Sequence, residues 1–521
     1  MTRQTADKDN TQKEALTRRD MFGVGLAGAS VALTACATTA GSAHAEEAQE
    51  KTKTKKDDKP QPITDLNLTP TTSAYIAGIR SAEIKPEFLE LGKRHILDTL
   101  ASAVACRDLE PAVLARKYAQ FKSGDASNAA TVLATKERAG IVDAVFAGAM
   151  IAHGAEINDF IPSAFVQPGP AVVSTAFALA ENRGNSGKDV LHACIAGYEL
   201  SGRMPKALGI GNLYYSGIAN HGIGPCFGAA ATAGAMLGLS ADQIANVMSY
   251  AAQQASGSWQ WLLDVEHIEK SFVFAGVGAR NGVEAALLVE AGFRGVRDSF
   301  DNADGYMNQG VFRGGDRKPK YLIEDLDTRS ELPLTAYKRY PVGGPTQPAV
   351  QALLELQKHT NAATMESIRI EMPGRWQAFR DAEMPALNLR YLASIIVIDG
   401  KLDFVAAQSR ERFLNDTQVH ELMKRVEIAH DPAQESGTGE ERTESARVTI
   451  NDTKTGTHEQ YVPWVRGFPS HPMSRADVEA KALELMEPAL GKARAKDVVD
   501  ATRNIEQLQS AADLVQMVSG S

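Results

Sequence analysis

The chain has 521 residues, with 64 acidic side chains against 55 lysines and arginines and a net charge of −9. That balance argues against nucleic acid as a partner, because such binding needs a basic face. There are four cysteines and no C-x-x-C pair, which removes support for an iron–sulfur cluster or a structural zinc site.

At the N-terminus, Arg18-Arg19-Asp20-Met21-Phe22 follows a polar stretch and precedes an apolar run over 23–35. A basic pair before a run too short to span a bilayer is the logic of twin-arginine export. Two readings of its end compete. Leu33-Thr34-Ala35-Cys36 fits a lipobox and would place a lipid anchor on Cys36, whereas Ala43-His44-Ala45 would release a soluble periplasmic protein. Gly23-Val24-Gly25-Leu26-Ala27-Gly28 matches G-x-G-x-x-G by chance, since no strand precedes it. Residues 1–45 are read as the signal and 46–62, nearly all charged or polar, as a flexible tether. No other run is long and apolar enough to span a membrane. Once Cys36 is set aside, Cys106, Cys194 and Cys226 form an odd set, which predicts at least one buried free thiol. The roughly 460 remaining residues are many for one core and suggest two domains.

From 65 to 332 the pattern is helical. Phe88, Leu91, His95, Ile96, Leu100 and Val104 recur at three- and four-residue steps. Stretches 142–152, 172–180 and 227–239 are rich in small residues and predict closely packed central helices. Gly238 reads as a helix stop and Ser240 as the next N-cap. After Pro333 the texture changes. Residues 367–372 alternate apolar and polar, 425–428 form a short β-like run, and 447–450 with 458–462 predict a hairpin. Helical patterns at 348–358, 387–398 and 419–424 lie among these strands. Ser474 caps a return to helix that continues to 518. The expected fold is mostly α: a large all-helical domain (63–333), a smaller α+β lid domain (334–465), and C-terminal helices (466–521) packing back on the first domain.

Four stretches carry candidate chemistry. His221 lies in Asn220-His221-Gly222-Ile223-Gly224-Pro225, read as a glycine-rich loop that could present an imidazole to a cavity or hold a packing histidine. Lys270, between apolar turns, could hold a carboxylate or accept a proton, or be an ordinary solvated lysine. Lys338-Arg339-Tyr340-Pro341 sits where composition switches. Ligand sites favour such junctions, and its cations and phenol suit a polycarboxylate; the alternative is a basic hinge. His153-Gly154-Ala155-Glu156-Ile157-Asn158-Asp159 ends a small-residue helix, and the spacing predicts Glu156 and Asp159 on one helix face, as an acid/base pair or as solvated carboxylates. No H-E-x-x-H or second nearby histidine supports a metal, so no metal or cofactor is expected. G-x-S-x-G, P-loop and strand-linked dinucleotide motifs are missing from the sequence, so hydrolase, kinase and dehydrogenase readings lose support.

Taken together these motifs resemble the 2-methylcitrate dehydratase / cis-aconitate decarboxylase family (MmgE/PrpD), which also includes epimerases of the iminodisuccinate type. Arg94-His95-Ile96-Leu97-Asp98-Thr99 is similar to the family's R-x-x-L-D-x helix. Gly197-Tyr198-Glu199-Leu200 with Arg203 is similar to G-Y-E-V-x-x-R. Residues 227–239 resemble its alanine-rich helix, Lys338–Pro341 its K-x-Y-P, and Leu389-Arg390-Tyr391-Leu392-Ala393 its S-x-x-Y-x-x-A. The resemblance implies a helical domain plus α+β lid, a homodimer, and cofactor-free lyase chemistry next to a carboxylate of a small organic acid, of hydro-lyase type. Decarboxylation, epimerisation, or a non-catalytic periplasmic ligand-binding lipoprotein are the alternatives. It also implies that His221, Lys270, Lys338 and Tyr391 are catalytic, and that Glu156, Asp159, Phe160, Gln167 and Arg339 contact substrate. The family's H-A-L-D-F-D-D-T and H-P-G read here H-G-A-E-I-N-D-F and Gln167-Pro168-Gly169. Glu156 and Asn158 stand for aspartates, Phe160 for the threonine and Gln167 for the histidine. The changed loop points away from methylcitrate and cis-aconitate, toward an acid with fewer carboxylates and a larger apolar part.

Overall fold

The computed structural model describes residues 63–123, 129–374, 376–435 and 444–520. Arg18, Arg19, Cys36 and Ala45 lie outside the described residues. The first domain begins with α1 (Leu68–Gly78), α2 (Pro86–Cys106) and α3 (Glu110–Ser123). A two-stranded antiparallel ribbon follows, β1 (Ala129–Thr131) against β2 (Arg138–Gly140), which the helical reading lacks. Its strands are three residues each, too short for a period-2 signal to register.

Next come α4 (Ile141–Ala152), α5 (Pro168–Arg183), α6 (Gly187–Leu208), α7 (Asn220–Met236), α8 (Ala241–Gln254) and α9 (Val277–Glu290). Helix α7 is buried along its whole length. Small residues make that packing sterically available: a Cβ at Gly282 of α9 would stand 2.5 Å from the Cys226 carbonyl oxygen. Helix α8 starts at the predicted cap, where Ser240 and Gln243 form a capping box, after Gly238 at φ +66°. The 23-residue run Ile268–Glu290 is, by length and composition, long and apolar enough to cross a membrane, which the sequence reading passes over; most of its apolar stretch is buried inside the protein. Cys106, Cys194 and Cys226 are all buried free thiols.

The lid sheet has strand order β4-β3-β5-β6, with β3 (Met365–Met372) parallel to β4 (Val426–His430) and antiparallel to β5 (Ala446–Asp452), which pairs with β6 (Gly456–Val462). Along β5 every second residue is buried. Helices α10 (Gln347–Leu356) and α11 (Leu389–Asp399) share the lid's core, which runs from Val342 to Val462. The last helices, α12 (Arg475–Leu490), α13 (Lys492–Arg503) and α14 (Ala512–Val518), bury Val478, Met486, Val498 and Val515 in the helical core. Ser474 caps α12 in a capping box with Asp477.

Two local expectations are corrected. His221 is not on a loop: it sits in the first turn of α7, which tolerates its glycines because they touch neighbouring backbone. Glu156 and Asp159 do not share a helix face, because α4 ends at Ala152 and the chain turns through Gly154–Phe160.

Candidate active site

Three segments converge on Glu156. Helix α4 delivers the turn that carries it. The segment entering α9 carries Lys270, and its backbone widens from α into a π turn over Phe272–Gly276, an irregularity frequent at functional sites. The connection between the two cores carries Lys338. The Lys270 ammonium is hydrogen-bonded to Glu156 Oε1, and Lys338 Nζ donates to Oε2 at 3.0 Å. His267 Nε2 donates to Oε1 at 3.3 Å. All four side chains are buried. Burial by itself would push the Glu156 carboxyl up; Lys270, then Lys338 and His267, outweigh it and hold the group well below the usual carboxylate range. Glu156 is therefore an anion at neutral pH, with its oxygens occupied by Lys270, Lys338 and His267.

His221 stands beside this cluster. Its ring stacks on Phe274, centroids 3.9 Å apart, and meets Trp259 and Trp261 edge-on at 5.3 and 5.1 Å. Phe274 also stacks on His153, and Lys270 Nζ lies 5.2 Å from its centroid and 5.3 Å from that of Trp261. Burial, helped by Lys270 and opposed by Glu156, lowers His221 to about 3, so it is a neutral imidazole at physiological pH. Its Nδ1 is buried with no partner. His153 is similar. Burial and His267 lower it well below the imidazole range, its Nδ1 donates to the Asn158 side-chain Oδ1 at 2.7 Å, and its Nε2 has no partner. Two unpartnered imidazole nitrogens in one buried cluster need an explanation, and a ligand supplies one. The roof over His221 is fixed by close approach: a Cβ at Gly222 would stand 1.9 Å from the Ser256 carbonyl oxygen, and Trp259 Nε1 donates to the Ile218 carbonyl at 3.1 Å.

The other sequence-derived candidates lie as follows. Phe160 pairs its backbone with Ala336, its ring packs on Phe468, and Lys338 Nζ lies 5.4 Å from its centroid, so it borders the cation cluster. Gln167 is buried at the N-cap of α5 with its Oε1 unpaired. Asp159 is committed to the scaffold: it accepts from Tyr198 Oη at 2.5 Å and from the Gly169 amide at 3.2 Å, and lies 2.9 Å from His95 Nδ1. Arg339 points elsewhere, to Glu484 at 3.3 Å. Tyr391 is buried in the lid core; its hydroxyl donates to the Ala406 carbonyl at 2.7 Å, and burial raises it to about 12. The geometry thus joins His221, Lys270, Lys338 and Glu156, puts Phe160 at their edge, and gives Tyr391 and Arg339 other partners.

Sequence reasoning missed His267, Trp259, Trp261, Phe274 and Lys481. Lys481 of α12 donates to Asp98 at 2.5 Å and to the Ile157 carbonyl at 2.6 Å, pinning the backbone next to Glu156. The His267–Lys270 spacing was the one available signal for His267. His153, Glu156 and His267 could offer one ligand atom each within 4.8 Å. The ammoniums on both Glu156 oxygens oppose a divalent cation there. A groove of about 460 Å³ lined by Leu91, Arg94, Leu332, Tyr337 and Met473 is a separate feature and includes none of the converging lysines.

Residues 71–319 match the MmgE/PrpD N-terminal domain and residues 340–507 match the MmgE/PrpD C-terminal domain. The chain is 23% identical to a cis-aconitate decarboxylase of Homo sapiens over 482 residues, covering 87% of this chain and 95% of that protein. It is also 23% identical to a cis-aconitate decarboxylase of Aspergillus terreus, covering 85% and 94%. Both domain matches lie in order along one chain and together cover well over half of it: the chain belongs to the MmgE/PrpD family.

Proposed function

We propose that this protein is a cofactor-independent lyase that acts next to a carboxylate of an organic acid. The observation that carries the reading is an imbalance. Two buried ammoniums share one carboxylate, and among the described residues neither Lys270 nor Lys338 has a second hydrogen-bond acceptor. An ammonium has three donors, so the cluster has capacity for an incoming anion.

The chemistry follows. A substrate carboxylate bridges Lys270 and Lys338. When a proton leaves the adjacent carbon, negative charge moves onto the carboxylate oxygens, and the fixed ammoniums stabilise it without reorganising. Neutral His221 takes that proton through Nδ1. Its low basicity makes the resulting imidazolium a strong acid, suited to hand the proton to a departing hydroxide on the same face. The Cα–H and Cβ–O bonds break, a C=C bond forms, and water leaves. This is the hydro-lyase form. It needs no other acid, so Tyr391 can stay on Ala406. A carboxy-lyase form is favoured by the relatives, which are named cis-aconitate decarboxylases.

The test is NMR in deuterated water with a panel of hydroxy and unsaturated acids. Deuterium at Cα and an unsaturated product are expected, both lost in Lys270→Met and His221→Asn. Lys270-dependent binding with neither exchange nor product would make the protein a binding module. Exchange without product would indicate an epimerase. Export to the periplasm, the lipid anchor on Cys36 and a homodimeric assembly are part of the same proposal. Arg18 and Arg19 changed to lysine should hold the protein in the cytoplasm, and Cys36→Ser should free it from the membrane fraction. Sedimentation of the purified protein tests the dimer.

A further inference from the structure

The charge and wall chemistry of the cluster go further than the reaction class. This step rests on the lyase reading for which site the substrate occupies. Two ammoniums against one fixed carboxylate leave a single positive charge. The imidazoles of His153, His221 and His267 add none when neutral, and burial lowers all three. Of the other charged groups near this turn, Asp98 is paired with Lys481 and Asp159 with His95 and Tyr198, while Asp264 accepts from the Lys270 backbone amide at 2.8 Å and so adds negative charge and no cation. The rest of the wall is aromatic. Trp261 and Phe274 flank Lys270, Trp259 meets His221, and Phe160 flanks Lys338. Buried polar atoms without a partner include the Trp261 Nε1–H in that wall, Asn220 Oδ1, next to His221 in α7, and Gln167 Oε1 at the start of α5.

We propose that the substrate is a monocarboxylate with a flat, apolar or aromatic body and a hydroxyl donor, and not a tricarboxylic acid. One carboxylate cancels the one surplus charge. A second and third would lie against aromatic rings, and among the described residues no third cation is hydrogen-bonded to the cluster to receive them; uncompensated buried charge is disfavoured. An aromatic body gains instead by covering indole and phenyl surface. The hydroxyl gives a buried amide oxygen the donor it lacks. The turn Trp259–Leu263, whose Trp259 and Trp261 rings meet His221 edge-on, exposes Leu262 and Leu263 and lies between Gly257 at φ +150° and His267 at φ +64°.

The test is calorimetric titration of the full-length protein with 3-hydroxy-3-phenylpropanoate, 3-hydroxybutyrate and cis-aconitate. The phenyl acid should bind at least about tenfold tighter than either of the others, a difference of about 1.4 kcal/mol. Trp261→Ala should remove its advantage over 3-hydroxybutyrate, while thermal unfolding shows the variant folded. Phe160→Thr gives a second variant at the other flank, expected to weaken the phenyl acid alone. Equal or tighter binding of cis-aconitate, indifference of the phenyl acid to both variants, or no binding by the phenyl acid overturns the proposal. The two readings fail separately. If the binding order holds but no probe undergoes exchange or elimination, the lyase reading falls and the specificity stands. If cis-aconitate binds tightest and is turned over in a Lys270-dependent way, the specificity falls and the lyase stands.

Discussion

Glu156→Gln is the sharpest perturbation of the cluster. Glutamine keeps the shape and one acceptor oxygen, so one lysine keeps a partner. The other then faces an amide NH2, donor against donor. At 3.0 Å, the Lys338–Glu156 attraction is about 5.5 kcal/mol at an effective dielectric of about 20, before desolvation is subtracted. Removing one partner of a buried ion pair costs about 3–5 kcal/mol, because the survivor is left uncompensated. At about 2 °C per kcal/mol for a large domain, the unfolding midpoint should fall by about 6–10 °C. The two lysines are then left as an uncompensated positive pair. Acetate should therefore raise the midpoint of the variant more than that of the unmodified protein, by about 1.4 kcal/mol at ten times its Kd. The pH dependence has a definite sign. The Glu156 carboxyl is held below its ordinary value of about 4.3, so its contribution is present above that pH and is lost as pH falls through the folded-state value. The gap between the two proteins should therefore close in acid. A midpoint unchanged at neutral pH, or no preferential acetate effect, would refute the view that Glu156 is the shared counter-ion of two buried lysines.

Three further expectations follow from the same geometry. With His221 lowered to about 3, the rate should show no break near the ordinary imidazole value of about 6.5; a break there contradicts its assignment as a neutral base. Gly222→Ala should abolish soluble folded protein, because the new Cβ would meet the Ser256 carbonyl at 1.9 Å, whereas Gly310→Ala, with nothing within 4 Å, should express normally. Activity and the unfolding midpoint should both survive EDTA, since the ammoniums on Glu156 oppose a divalent ion; loss on chelation with recovery on adding a divalent metal would show that His153, Glu156 and His267 hold one.

The fold was legible because its signals are local. The Ser240 and Ser474 caps, the small-residue helices and the alternation along β5 each depend on a few neighbouring residues, and each is present. The cluster was half legible. Lys270 and Lys338 stood out through the family resemblance, but the reason they matter, one carboxylate between them, spans residues 156 to 338 and has no local signature. His221 was assigned to a loop because glycine and proline usually break helices. In α7 the tertiary contacts override that: the glycines permit approach to Ser256 and Val166, and Pro225 is accommodated within the helix. Glu156 and Asp159 were placed on one helix face because spacing alone does not show where α4 stops.

The division of labour within 153–161 bears on how the site has diverged. Asp159, which matches the family's pattern, accepts from Tyr198 and Gly169 and lies beside His95, and so ties the turn to α2, α5 and α6. Lys481 holds the Ile157 carbonyl from α12, and Ala336 pairs with the Phe160 backbone from the interdomain connection. The positions that depart from the pattern carry different duties: Glu156 faces the lysines, Phe160 puts a ring beside Lys338, and Gln167 keeps an unpaired oxygen. Asn158 is the exception, since it departs and yet positions His153. Anchors made by backbone groups and by a retained aspartate do not depend on the side chains at 156, 160 or 167. A side-chain exchange at those positions can therefore alter charge and apolar surface while the turn stays where five elements hold it. Such an arrangement lets the charge and apolar surface of the site change without rebuilding the scaffold.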